Sequence, residues 1–227
     1  MSIPRASEQI ASEKATGATG HRPAPHGARM HAWAGVDCLR LEAARIVLSE
    51  HGLRATGSLV SAPQEGIQAY SASYSLSTDE AGVVQRLTVR TAAVTGEHHV
   101  TVTRSEEGIW LVDHGQGAVR TRFDGALDVD LAFSPLFNAL PIRRLGLHRS
   151  AAQHDLSVVF VALPTLKVCR VSQTYRTVSL SEPVSLSEPV SLDEPAVVGV
   201  SSDSWEAALT VDADGLVLDY PGLARRV

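Results

Sequence analysis

The sequence is short of aromatic residues, of cysteine and of positive charge, and each shortage removes a class of protein. Among 227 residues there are 3 Trp, 4 Tyr and 4 Phe, 5% of the chain. A core must therefore be built from Val, Leu, Ile and Ala, which favours strands over an aromatic-rich interior. Cys38 and Cys169 lie far apart and form no CxxC pair, so neither a disulfide framework nor a zinc knuckle is supported and a reducing compartment is the expected setting. Lys and Arg number 20 against 25 Asp and Glu, a formal charge of −5, with no basic run. That balance argues against a nucleic-acid partner, because phosphate binding needs a concentrated basic surface. No apolar stretch approaches the roughly 18 residues of a membrane-spanning helix, and the N-terminal segment has no apolar run of signal-peptide length. A soluble, cytoplasmic protein is the expectation.

What is present divides the chain. Residues 1–30 are rich in Ala, Gly, Ser, Pro and His with almost no large apolar side chain, a composition that cannot offset its ordering entropy by burial and reads as a flexible tail. From Val178 to Pro195 a six-residue unit recurs three times, VSLSEPVSLSEPVSLDEP. Pro183, Pro189 and Pro195 each remove a ladder donor, so the stretch reads as an expanded acidic loop. The remainder, 31–227, is expected to be a single domain.

In that domain the dominant period is two. Tyr70, Ala72, Tyr74 and Leu76 alternate with Ser71, Ser73, Ser75 and Ser77, the pattern of a half-buried strand. Gln85, Leu87, Val89 and Ala93 likewise share a face against Arg86, Thr88 and Arg90. Further strands are expected at His98 to Arg104, Ile109 to Asp113, Gly117 to Phe123, Leu127 to Phe133, Leu156 to Leu163, Leu166 to Thr177, Val197 to Ser201, Trp205 to Asp212 and Leu216 to Tyr220. Asp212 to Gly215 reads as a hairpin turn, and Leu39 to Ser49 as a possible helix. The fold class expected is mainly β: an antiparallel sheet large enough to curl, with one or few short helices.

The densest polar constellation is DGALDVDLAFSPLFNALPIRRL, Asp124 to Leu145. On an extended strand Asp128 and Asp130 project side by side, roughly 7 Å apart, flanked by small alanines. Ser134-Pro135 ends the strand, Asn138 caps or turns, and Arg143 and Arg144 follow Pro141. These residues suit a polar pocket for a hydroxyl-bearing ligand; equally, acids and arginines could satisfy one another as internal ion pairs. The carboxylate spacing also lies in the range of inverting glycosidases, about 6.5–9.5 Å, which any i, i+2 pair on a strand meets. Along Leu166 to Thr177, Cys169, Val171, Gln173 and Tyr175 share a face, apolar first and polar last, as a wall running from core to cavity mouth would. Cys169 reads as a small buried hydrophobe. LSVVFVAL, Leu156 to Leu163, is apolar on both faces, as either a doubly buried strand or the wall of an apolar cavity would be.

No metal or cofactor is expected. Adjacent His98 and His99 face opposite ways on a strand, His148 and His154 bracket a turn, and the Asp212 to Gly215 segment lacks the Glu of a calcium loop, Leu223 standing there. GxSxG, HExxH and glycine-rich phosphate loops are absent.

DVDLAFSPLFNALPIRRL, the strand ending in Gln173-Thr174-Tyr175, and VDADGLVLDYPGL (Val211 to Leu223) together resemble the glycolipid-binding family of bacterial proteins, formerly a domain of unknown function. The likeness is looser upstream, where Trp33, Glu42, Gly57 and Tyr74 stand in matching order. The resemblance implies a curved, incompletely closed antiparallel β-barrel similar to bacterial lipoprotein carriers, with an apolar cavity. It further implies binding of a glycolipid-like amphipathic molecule and a role in glycolipid metabolism. Its motif residues here are Asp128, Asp130, Ser134, Pro135, Asn138, Pro141, Arg143 and Arg144, then Gln173 and Tyr175, then Asp212, Gly215, Tyr220 and Pro221. The polar head would be held by Asp128, Asp130, Ser134, Asn138, Arg143, Arg144, Gln173, Tyr175 and Tyr220 at the cavity mouth. The alternatives are an enzyme on a glycan or sugar-lipid, with Asp128 and Asp130 as acid and base, and a partner-binding module using the repeat.

Overall fold

A computed structural model describes residues 27–180, 195–203 and 205–227. Most of the expected tail and of the hexapeptide repeat lies outside the described residues. The described residues form fifteen strands: β1 (Ala28–Gly35), β2 (Arg40–Leu48), β3 (Leu53–Ser61), β4 (Tyr70–Thr78), β5 (Val84–Ala93), β6 (Gly96–Arg104), β7 (Trp110–Asp113), β8 (Ala118–Thr121), β9 (Asp128–Leu131), β10 (Gln153–Val161), β11 (Val168–Ser179), β12 (Ala196–Ser202), β13 (Trp205–Val211), β14 (Val217–Tyr220) and β15 (Ala224–Arg226). Between β9 and β10 lie a 3-10 turn, Pro135–Asn138, and a short helix α1, Ala139–Arg144.

All fifteen strands make one sheet, ordered β8-β7-β6-β5-β4-β3-β2-β1-β15-β14-β13-β12-β11-β10-β9. Two meanders meet where β1 pairs with β15, and every pairing is antiparallel except β9 with β10. The sheet is mainly β, curved and open: its edges, β8 and β9, do not pair with each other. Directly paired residues share a face, and that rule explains how the sheet rolls. Trp33, Glu42, Tyr74, Leu209, Tyr175 and Asp130 all fall on the concave side through consecutive registers. Val129, Leu131, Val159 and Val161 fall on the convex side, yet all four are buried in the same cluster as Ile46, Leu87 and Trp110 from the first meander. The β9–β10 end is therefore rolled inside the β1–β8 end, like the inner edge of a scroll. Backbone contacts fix the overlap, with Val84 N–H donating to Leu127 O at 3.0 Å and Trp110 Nε1 to Ala126 O at 3.1 Å. LSVVFVAL is thus buried along its convex face, whereas on its concave face Val158 is buried and Leu156 and Phe160 are only half-buried.

Three expectations are corrected. Leu39 to Ser49 is strand β2, not a helix; its Leu, Ala, Glu and Arg content suits a helix locally, but Arg40–Leu48 pairs along its whole length with β3 and Ala28–Ala34 pairs on its other side. On β5 the buried residue is Val84 rather than Gln85, because a bulge shifts the register between Ser77 and Thr78. The strand expected to run to Phe133 stops at Leu131, since Phe133 takes a left-handed φ of 67°. The Asp212 to Gly215 turn forms as expected: Gly215 has φ 75° and its N–H donates to Asp212 O.

Candidate functional site

The motif residues gather at the inner edge of the scroll, in three hydrogen-bonded groups. In the first, Arg144 at the end of α1 forks onto Asp128 at the start of β9, with Nε to Oδ1 at 3.2 Å and Nη2 to Oδ2 at 2.5 Å. Asp128 is buried; burial pushes its carboxyl up, and the Arg144 guanidinium pulls it back.

The second group starts two residues on. Gln173 Nε2 donates to Asp130 Oδ2 at 3.0 Å, and the Tyr175 hydroxyl is shared between Gln173 Oε1 at 3.2 Å and Asn138 Oδ1 at 3.0 Å. No cation pairs with Asp130 among the described residues, and burial raises its carboxyl to about 6. Burial, and after it the Asp130 charge, pushes the phenol of Tyr220 upward. It packs against Trp205 at 6.4 Å between ring centroids.

The third group joins the two meanders. Ser134 Oγ and the Tyr74 hydroxyl both donate to Glu42 Oε1, at 2.6 and 2.5 Å, while Glu42 Oε2 is buried without a partner. Desolvation lifts this carboxyl to about 7. Tyr74 reaches Glu42 only because its ring crosses Gly57: a Cβ there would sit 2.3 Å from the ring. The glycine and the tyrosine are cross-strand partners, so the ring covers bare backbone. Arg40, two residues before Glu42, lies 4.7 Å from the Phe133 ring centroid.

Of the expected ligand residues, Asp130, Asn138, Gln173 and Tyr175 are brought together, Asp128 and Arg144 form a pair beside them, and Ser134 turns to Glu42. Arg143 joins none of these. Its guanidinium ties α1 to two loops through the carbonyls of Asp214 in one and of Ser49 (2.7 Å) and Glu50 (3.4 Å) in the other, against Gly215, where a Cβ would meet its side chain at 3.0 Å. The polarity of the β11 wall is the reverse of that expected: Gln173 and Tyr175 are buried whereas Cys169 and Val171 are half-buried. Hydrogen bonds to Asp130 and Asn138 make the polar pair tolerable inside. Glu42 and Tyr74 stood in the sequence only as positions in matching order with the family and were not expected among the ligand residues; once Leu39 to Ser49 is a strand, the alternation Arg40, Glu42, Ala44, Ile46 is the signal that places Glu42 in the interior.

On the concave face next to Asp130 and Gln173, register places Phe160 opposite both Asp130 and Cys169, and Val158 opposite Val171. Phe160, Cys169 and Val171 are all half-buried, so this inner surface is apolar and partly open. Among the described residues there is no group of His, Cys, Asp and Glu able to hold a metal, and no helix is long and apolar enough to cross a membrane.

No curated protein matches the chain. A crystal structure of a DUF1089 family protein from Pseudomonas aeruginosa shares the fold, with a TM-score of 0.61 at 23% identity, covering 97% of this chain and 100% of that one. A family model described as "Putative glycolipid-binding" matches residues 30–226, and the chain belongs to that family.

Proposed function

We propose that residues 31–227 form one binding unit for a glycolipid-like amphipathic molecule, without catalysis. The observation that carries the reading is the juxtaposition at the inner edge of the scroll. Half-buried Phe160, Cys169 and Val171 offer an apolar strip, and Asp130 and Gln173 beside it offer hydrogen-bonding groups to hydroxyls. The acyl part lies on the strip and the sugar hydroxyls compete for the Asp130 and Gln173 partners, an apolar surface with few convergent polar groups being the usual form of a small-ligand site. Family membership supports the same class of ligand.

Native mass spectrometry and lipid extraction of the purified protein test the reading. Bound glycolipid is expected, with its loss in Val171→Trp, which fills the strip. A protein that is always empty, and that binds no member of a glycolipid panel, overturns it. Hydrolysis by Asp128 and Asp130 is less well supported, because Arg144 occupies both oxygens of Asp128. Glycoside turnover by the wild type that Asp130→Asn abolishes would reinstate it.

A further inference from the structure

The exposed arginines of the two meanders differ in one respect. In the second meander they are paired: Arg170 with Asp124, Arg176 with Glu206, Arg225 with Asp219, and the less exposed Arg226 with Asp212. In the first meander Arg29 of β1 reaches across to Asp214, but Arg45, Arg54, Arg86 and Arg90 are exposed and make no salt bridge among the described residues.

Register places these four on one outer surface. Arg54, Ser77 and Arg86 are consecutive cross-strand partners, as are Ser58, Ser73 and Arg90, and Arg45 lies opposite Thr56. Ser71, Ser73, Ser75 and Ser77 run down the middle on β4 and leave a shallow hydroxyl-lined trench with arginines on both sides. Arg54 and Arg86 stand two strand spacings apart, about 10 Å. Asp79 and Glu80 in the β4–β5 turn and Glu97 at the start of β6 border the surface without bridging to the four.

The same surface ends in exposed aliphatic side chains. Leu41 and Val60 are cross-strand partners, 51% and 59% exposed, and Val60 lies opposite Ser71 at the end of the trench. Val36 and Leu39, 52% and 83% exposed, occupy the adjoining β1–β2 turn. Unpaired guanidinium groups beside a protruding apolar tip suit one kind of partner. Phosphate headgroups neutralise the arginines through forked hydrogen bonds, and the boundary between headgroups and acyl chains accepts Leu39 and its neighbours. A soluble polyanion would use the arginines and leave the tip in water.

We propose that the outer face of β2–β5, with the β1–β2 turn, is a docking surface for an anionic lipid membrane. It is on the opposite side of the sheet from the Asp130 strip, so it stands whether or not that strip holds a ligand.

The test is co-sedimentation of the full-length chain with vesicles of phosphatidylcholine alone and of phosphatidylcholine with phosphatidylglycerol. Binding is expected to the second only, and to weaken steeply with salt. An arginine at a charged membrane surface contributes about fivefold, so Arg54→Gln with Arg86→Gln should weaken binding roughly 25-fold. Leu39→Ser with Val60→Ser should weaken it several-fold at unchanged charge, while Arg176→Gln on the other meander and Val171→Trp in the strip should leave it as it is. Thermal melts of each variant check folding. Equal binding to neutral vesicles, no binding to anionic ones, indifference to the arginine pair, or retention on heparin with none on vesicles would each overturn the proposal.

Discussion

Glu42 and Asp128 are two carboxyl groups on the same concave face, each about 1% exposed, and the protein makes them tolerable in opposite ways. Burial pushes the Asp128 carboxyl up, and a two-pronged guanidinium from Arg144 pulls it back. Glu42 has no cation in salt-bridge contact among the described residues; hydroxyls of Tyr74 and Ser134 crowd one oxygen, the other is bare, and burial raises its pKa to about 7. The comparison teaches where charge is fixed and where a proton can be held. The ion pair secures α1 to the β9 edge, and the protonatable site lies where Ser134 of the inner edge meets β2 and β4.

The sharpest way to break this contrast is to remove the cation. Arg144→Met should leave Asp128 buried and uncompensated, costing about 3–5 kcal/mol. Adding Asp128→Asn should recover much of that, since neutral partners of similar shape need no charge compensation. Urea denaturation of the two variants reads the difference; a single variant as stable as wild type would show that Asp128 does not depend on Arg144.

Next in size is a pH effect peculiar to Glu42. Its carboxyl titrates near 4.5 when unfolded and at about 7 when folded, so between these values the native state binds more protons and stability falls as pH rises. The full effect across that window is on the order of 3 kcal/mol. Asp130, raised to about 6, adds a slope of the same sign at slightly lower pH. His31 and His148, both lowered by burial, oppose it, because stability from a depressed histidine is lost as pH falls. Glu42→Gln isolates the glutamate: its stability relative to wild type should climb from pH 5 to 8, and a constant difference would sink the assignment.

Much of the outline was legible because strands carry their burial in their alternation. β4 reads directly from Tyr70 to Leu76, and the Asp212 to Gly215 turn from its residues. The polar inner edge was legible as a set of residues, but not as three separate networks, since partner choice depends on a parallel pairing of β9 with β10 and on a roll that brings Ser134 under Glu42. Glu42 was hidden by a segment whose local preference is helical. Arg143 was misplaced for another reason: a fork of donors can satisfy backbone carbonyls as well as carboxylates, and the sequence does not distinguish them.

A smaller effect tests the geometry behind the Glu42 site. Gly57→Ala puts a methyl where the Tyr74 ring now lies, 2.3 Å from its Cζ and hydroxyl. The ring must shift and the short bond to Glu42 must lengthen, with a cost of about 1–3 kcal/mol. Adding Tyr74→Ala to Gly57→Ala should give a total loss smaller than the sum of the two single losses, because the clash vanishes with the ring. Strict additivity of the four melts would mean that the glycine and the ring are not coupled.

The smallest expected effect completes the contrast by taking an ion pair to the surface. Arg225 donates Nε to Asp219 Oδ1 at 2.9 Å, a single contact where Arg144 forks onto Asp128, and its side chain is 69% exposed and that of Asp219 is 30% exposed. Water already solvates both groups and salt screens them, so Arg225→Ala should cost no more than about 0.5 kcal/mol. Raising the ionic strength should erase that difference while leaving the Arg144→Met penalty nearly intact, because a buried pair is screened far less. If urea melts at low and high salt show equal losses for the two arginines, burial is not what separates them, and the Asp128 pair carries no special weight at the inner edge.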